Sequence, residues 1–84
     1  MIRVLTLYSR PGCHLCEQVE IELLEMLRGR PVEVRLVDIT EDPDLEREYF
    51  IRIPVLADGA TELSEYPLDR ARVASWLAES SASG

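Results

Sequence analysis

The chain has 84 residues, enough for one small domain with a modest core. Apolar residues make up 46% of it, which fits a globular chain rather than a disordered one, and no apolar run approaches the roughly 18 residues that cross a bilayer. The net charge of −7 argues against nucleic acid as a partner, since phosphate binding needs a basic face.

The pattern divides into seven elements. Ile2 to Leu7 is a short, near-continuous apolar run, read as a strand buried on both faces. Pro11 and Gly12 break it, and an amphipathic helix follows over Glu17 to Arg28. Cys16, Val19, Leu23 and Met26/Leu27 form its inner stripe, which Ile21 and Leu24 are expected to widen. Gly29 and Pro31 stop it. Val32 to Ile39 is the second strand, giving a right-handed βαβ unit with a parallel pair. Asp42 and Pro43 are N-cap and first residue of a short helix to about Phe50, with Leu45, Tyr49 and Phe50 facing inward. Pro54 to Ala57 is the third strand. Asp58-Gly59 is its turn, and Thr61 to Leu63 returns antiparallel. Asp69 caps a last helix, Arg70 to about Glu79, whose buried face is Val73, Trp76 and Leu77. The fold class is α/β, ordered βαβαββα around a mixed four-stranded sheet. Residues 1–79 form a single domain, and residues 80–84 are expected to be a disordered tail.

Both cysteines lie at the junction of the first strand and helix, as Cys13-His14-Leu15-Cys16. A Cys-x-x-Cys pair opening a helix after a strand is a redox signature with a mechanism. The unsatisfied N–H groups and positive dipole end of the helix favour a thiolate at Cys13. Cys16 lies about one turn on, within reach of a mixed disulfide at Cys13. A single Arg before a short apolar stretch is a poor signal peptide, so the cytosol is expected. In that reducing compartment two lone cysteines are catalytic or metal-binding rather than a staple.

His14 is read as a solvated residue; as an imidazolium it would instead favour the Cys13 thiolate. Arg10 is a cation near that thiolate and a candidate for a substrate carboxylate. Cys-His-x-Cys supplies at most three protein ligands, so a closed zinc site would need a fourth from elsewhere. The acidic run Glu41-Asp42-Asp44 lacks the glycine and terminal glutamate of a calcium loop. No resident cofactor or metal is expected.

The run YSRPGCHLC, the element order and a proline opening the third strand resemble the glutaredoxin branch of the thioredoxin fold, from Ile2 to about Glu79. Small bacterial glutaredoxin-like proteins are the nearest in kind. The resemblance implies Cys13 as nucleophile, Cys16 as resolving thiol and a cis bond before Pro54. It also implies that Ile53 offers its backbone to substrate as a strand would. Two departures stand out. Relatives carry Thr-Val-Pro where this chain has Arg52-Ile53-Pro54. They also carry Gly-Gly and an Asp, holding a glutathione carboxylate, where it has Ser64-Glu65-Tyr66. A carboxylate at Glu65 opposes another carboxylate.

The expected activity is therefore thiol–disulfide exchange by Cys13 and Cys16, reducing disulfides of a protein rather than of glutathione. Tyr8, Arg10, Ile53, Pro54 and Glu65 are the candidate substrate-binding residues. A thiol reductant, glutathione or a thioredoxin-reductase-like enzyme, restores the pair, and the protein acts as a monomer away from membranes. The alternative is a binding module or an iron–sulfur or metal carrier without turnover.

Overall fold

The computed structural model describes residues 2–83. The elements are β1 (Arg3–Ser9), α1 (His14–Leu27), β2 (Val32–Asp38), α2 (Pro43–Tyr49), β3 (Val55–Asp58), β4 (Thr61–Ser64) and α3 (Arg70–Ser83), with a single 3₁₀ turn at Ile39–Glu41 before α2. Their order and type are those the sequence pattern predicts. The sheet runs β2-β1-β3-β4. β1 pairs parallel with β2, from Arg3 opposite Val32 to Ser9 opposite Asp38. It pairs antiparallel with β3, which pairs antiparallel with β4.

Local chemistry sets the boundaries. Asp38 accepts from the Thr40 amide and hydroxyl, turning the chain out of β2 before Ile39, which is fully buried. The second strand is thus one residue shorter than expected. Asp42 accepts from the Asp44 amide at 2.9 Å and Pro43 opens α2, as the cap pattern requires. Asp69 accepts from the Arg72 amide at 2.9 Å and starts α3. That helix continues through Ser83, past the expected end near Glu79, because no proline or glycine interrupts it before Gly84, which lies outside the described residues. The β3–β4 turn is Gly59-Ala60, one residue later than Asp58-Gly59. Gly59 alone takes a positive φ (+58°), as the first central position of a type II′ turn needs.

One core lies between the sheet and the pair α1 and α3. Leu5 and Leu7 of β1 and Leu56 of β3 meet Val19, Leu23 and Leu27 of α1 and Val73, Trp76 and Leu77 of α3. The Trp76 indole N–H donates to Asp58 at 2.8 Å, and the Arg3 guanidinium lies 3.6 Å above its ring.

Three expectations of burial are corrected. Ile21 and Leu24 do not widen the inner face of α1; they are 61% and 48% exposed. At 3.6 residues per turn they share a side of α1 with Glu17, turned away from the buried stripe of Cys16, Val19, Leu23 and Leu27. β1 is sealed on one face only. Leu5 and Leu7 are fully buried, but Val4, Thr6 and Tyr8 are half-buried, because seven residues of α2 make a short cover. Phe50, just past the end of α2, is exposed, while Leu45 and Tyr49 are half-buried.

The exposed flank and the sealed stripe of α1 predict opposite responses to truncation. Leu23→Ala costs about 2–5 kcal/mol by leaving a cavity, whereas Leu24→Ala stays within about 0.5 kcal/mol. Urea unfolding of both variants checks this; similar losses would contradict the assigned face.

Candidate active site

β1 ends at Ser9, and Gly12, with φ of +77°, turns the chain into α1. Cys13 is the N-cap, in extended conformation, and its sulfur accepts from the Cys16 amide at 3.1 Å. The helix N-terminus therefore points a donor at this sulfur. Cys13 and Cys16 are joined as a disulfide, with Cα atoms 5.2 Å apart. Cys13 is half-buried and Cys16 is 4% exposed, at the start of the buried stripe. The His14 imidazole is 96% exposed and lies 3.6 Å from Glu17, as the solvated reading expects.

The disulfide faces a cavity of about 320 Å³ between the β1–α1 loop and the end of β2. Arg10, Cys13 and Cys16 all line it. So do Glu17, Glu20, Leu36, Asp38 and Glu41, none of which the sequence pattern connects with the site. Glu17 and Glu20 come with Cys16 on α1; the parallel register explains the arrival of Leu36, Asp38 and Glu41, because Ser9 opposite Asp38 brings the end of β2 alongside the redox loop. Nothing in the linear sequence marks that proximity. A larger cavity of about 510 Å³ lies among Arg3, Asp58, Thr61, Arg72 and Trp76, but contains neither sulfur. The chemistry places the site at the smaller one.

The remaining candidates sit apart from that cavity. Tyr8 stacks on Tyr49 of α2, with ring centroids 4.3 Å apart and planes 15° from parallel. Burial raises the Tyr49 phenol above its ordinary pKa of 10.0, and the neighbouring Tyr8 and the carboxylates of Glu62 and Glu48 push the same way. The Ile53–Pro54 peptide is cis and Pro54 is buried, as the resemblance implies; Tyr66–Pro67 is also cis, which the sequence reading did not anticipate. The Ile53 amide is already engaged, donating to the Tyr49 carbonyl at 3.1 Å. The expectation that Ile53 pairs with substrate as a strand is thus narrowed to its carbonyl, because the chain leaves α2 through a turn that spends the amide.

By sequence Arg52 is only a departure from the pattern of the family the chain resembles. It ties this side of the molecule together. Its guanidinium donates to Glu65 at 3.0 and 3.1 Å and also to Glu62, and lies 3.7 Å from Glu48. Hydrogen bonds to Glu62 and then Glu65 push its pKa further above the ordinary range. Glu65 is therefore a paired carboxylate rather than a free one. Among the described residues, no group of three or more His, Cys, Asp and Glu side chains is arranged to hold a metal ion. No helix described is long and apolar enough to cross a membrane.

The Arg52 cluster predicts an asymmetry. Arg52→Gln leaves three carboxylates without their shared cation and lowers stability by about 1 kcal/mol at low salt, whereas Glu65→Gln removes only one of the three and costs less. Both effects shrink as salt is added. Denaturant melts at two ionic strengths check this; equal, salt-independent losses would contradict it.

Comparison with known proteins follows the same lines. The family model of the glutaredoxin-like domain (DUF836) matches residues 4–78. Protein Ne2328 from Nitrosomonas europaea, solved in solution by NMR, is 32% identical, with a TM-score of 0.79 over 90% of this chain and 92% of that one. Protein XcR50 from X. campestris, solved by X-ray diffraction, is 37% identical, with a TM-score of 0.65 over 89% of this chain and 96% of that one. The search of curated proteins gives no match. The mixed sheet and its helices have the thioredoxin-like fold, and the chain belongs to the glutaredoxin-like domain family.

Proposed function

We propose that this protein is a thiol–disulfide oxidoreductase that reduces disulfides on protein substrates. The observation that carries the reading is the placement of the cysteine pair across the first turn of α1. Cys13 is the accessible N-cap and Cys16 is sealed behind it. In the reduced protein the Cys13 thiolate attacks a substrate disulfide. A Cys13–substrate bond forms and one substrate thiolate leaves. The Cys16 thiolate then attacks the Cys13 sulfur, forming the internal disulfide and releasing the second substrate thiol. Two electrons pass from the pair to the substrate, and an external thiol, glutathione or a reductase of the thioredoxin-reductase kind, restores the dithiol.

Glu48, Glu62 and Glu65 support a protein substrate over glutathione. They surround Arg52 beside Ile53, so the single cation there is already matched by three carboxylates. A ligand that relies on its own carboxylates gains little at such a place. A protein segment also draws binding energy from backbone and apolar contacts.

Two measurements test this. After reduction, Cys13 alkylates faster than Cys16; Cys16→Ser accumulates mixed disulfides with substrate and Cys13→Ser is inactive. If Cys16 reacts first, the roles are wrongly assigned. Reduction of an insulin-like protein disulfide is expected to exceed that of a glutathionylated peptide, with glutathione or thioredoxin reductase supplied in turn. Fast, saturable turnover of the glutathionylated peptide with glutathione as reductant would overturn the substrate class.

A further inference from the structure

The two flanks of the redox site are both acidic, but on only one do the carboxylates gather around a shared cation. On the α2 side, Glu48, Glu62 and Glu65 converge on Arg52. On the β2 side, Glu17, Glu20, Asp38 and Glu41 line the cavity that also holds Cys13 and Cys16, with Arg10 as the one guanidinium in its wall. Glu17 reaches His14 alone, at 3.6 Å. Asp38 spends one oxygen on the Thr40 amide and hydroxyl. Glu20, Glu41 and Arg10 make no ion pair among the described residues. The same cavity has an apolar element. Leu36 continues the α1-facing series of Val32 and Val34 but reaches the mouth of the cavity, where it is 53% exposed.

An apolar surface among unbalanced carboxylates, opening onto the reactive sulfurs, complements a particular kind of group. A lysine or arginine side chain can lay its methylenes on Leu36 and place its charge among the glutamates. The volume, about 320 Å³, is at the low end of the roughly 300–1,000 Å³ of small-molecule pockets, which suits one or two side chains. The α2 side offers less to a partner, since the Ile53 amide is spent on Tyr49 and the carboxylates there are held by Arg52.

We infer that the β2-side cavity is a specificity site that docks a basic segment of the substrate protein, with lysine or arginine next to the disulfide that Cys13 attacks. The inference rests on the reductase reading and names its substrate class. The exchange chemistry is unchanged: the basic segment brings the substrate disulfide to Cys13, and positive charge beside the disulfide stabilises the substrate thiolate that leaves.

Three homodisulfide peptides of equal length, flanked by Lys, Ser or Glu, test it against the pre-reduced protein. At low salt kcat/KM is expected to be about tenfold higher for the Lys peptide than for the Glu peptide, and the ratio to fall toward one in high salt. The double variant Glu20→Gln/Glu41→Gln is expected to lose most of that preference, read as the ratio of its kcat/KM on the Lys and Glu peptides. The charge-matched control Glu25→Gln/Glu46→Gln, on exposed positions outside the cavity, is expected to keep the preference. Equal rates on the Lys and Glu peptides overturn the inference, as does a preference that survives in the cavity variant or disappears in the control. Binding of a cysteine-free Lys peptide to the oxidised protein separates docking from turnover. Amide shifts centred on Glu20, Leu36 and Glu41 support the site, and their absence overturns it. If no peptide is reduced while those shifts appear, the reductase reading falls and the docking site stands.

Discussion

The hydrogen bond from the Cys16 amide to the Cys13 sulfur is the contact on which the site depends. It exists because β1 stops at Ser9, Gly12 supplies a left-handed turn, and Cys13 falls on the cap of α1. A cap residue is the one place where a side chain meets unpaired helix amides while staying accessible. Cys16, three residues on, falls by the same helical geometry on the buried stripe. One strand-to-helix junction therefore gives the two sulfurs different environments, and different environments are what a nucleophile and a resolving thiol need. The core holds the junction still: Leu5 and Leu7 anchor the strand that enters it, and Val19 and Leu23 anchor the helix that leaves it.

The surroundings of the junction are uneven in a way that net charge alone does not reveal. A charge of −7 reads as a diffuse acidic surface. The fold sorts it. Arg52 collects carboxylates from α2, from β4 and from the segment after β4. The β2 side has no such cation at its centre, only Arg10 in its wall. The first cluster fastens elements to one another beside the cis proline. The second leaves charge free at the sulfurs. Paired charge close to a surface contributes little to recognition, whereas unbalanced charge beside a reacting atom steers partners and fixes their register.

Much of this was legible in the linear chain, for physical reasons. Cys13 and Cys16 are three residues apart, so their relation follows from helix geometry. The caps at Asp42 and Asp69 are local hydrogen bonds, written in the residues that make them. Leu23 and Trp76 recur at helical spacing with other apolar residues, so their burial follows from the period. The features that escaped depend on elements distant in sequence. Asp38 and Glu41 reach the redox loop only through the β1–β2 register. Arg52 meets Glu62 and Glu65 only once β4 has folded back. Ile21 and Leu24 look like core by composition, but the helical period sets them off the stripe of Val19, Leu23 and Leu27, and they are exposed.

The central claim is that Cys13 and Cys16 are a working redox pair rather than two incidental thiols. Equilibration of the protein in glutathione redox buffers, read by thiol trapping, tests it most directly. The account predicts one reversible two-electron transition between dithiol and internal disulfide, absent from both Cys13→Ser and Cys16→Ser. A protein whose thiols show no reversible transition across the physiological range of potentials, or whose oxidation gives only intermolecular or over-oxidised products, would contradict it.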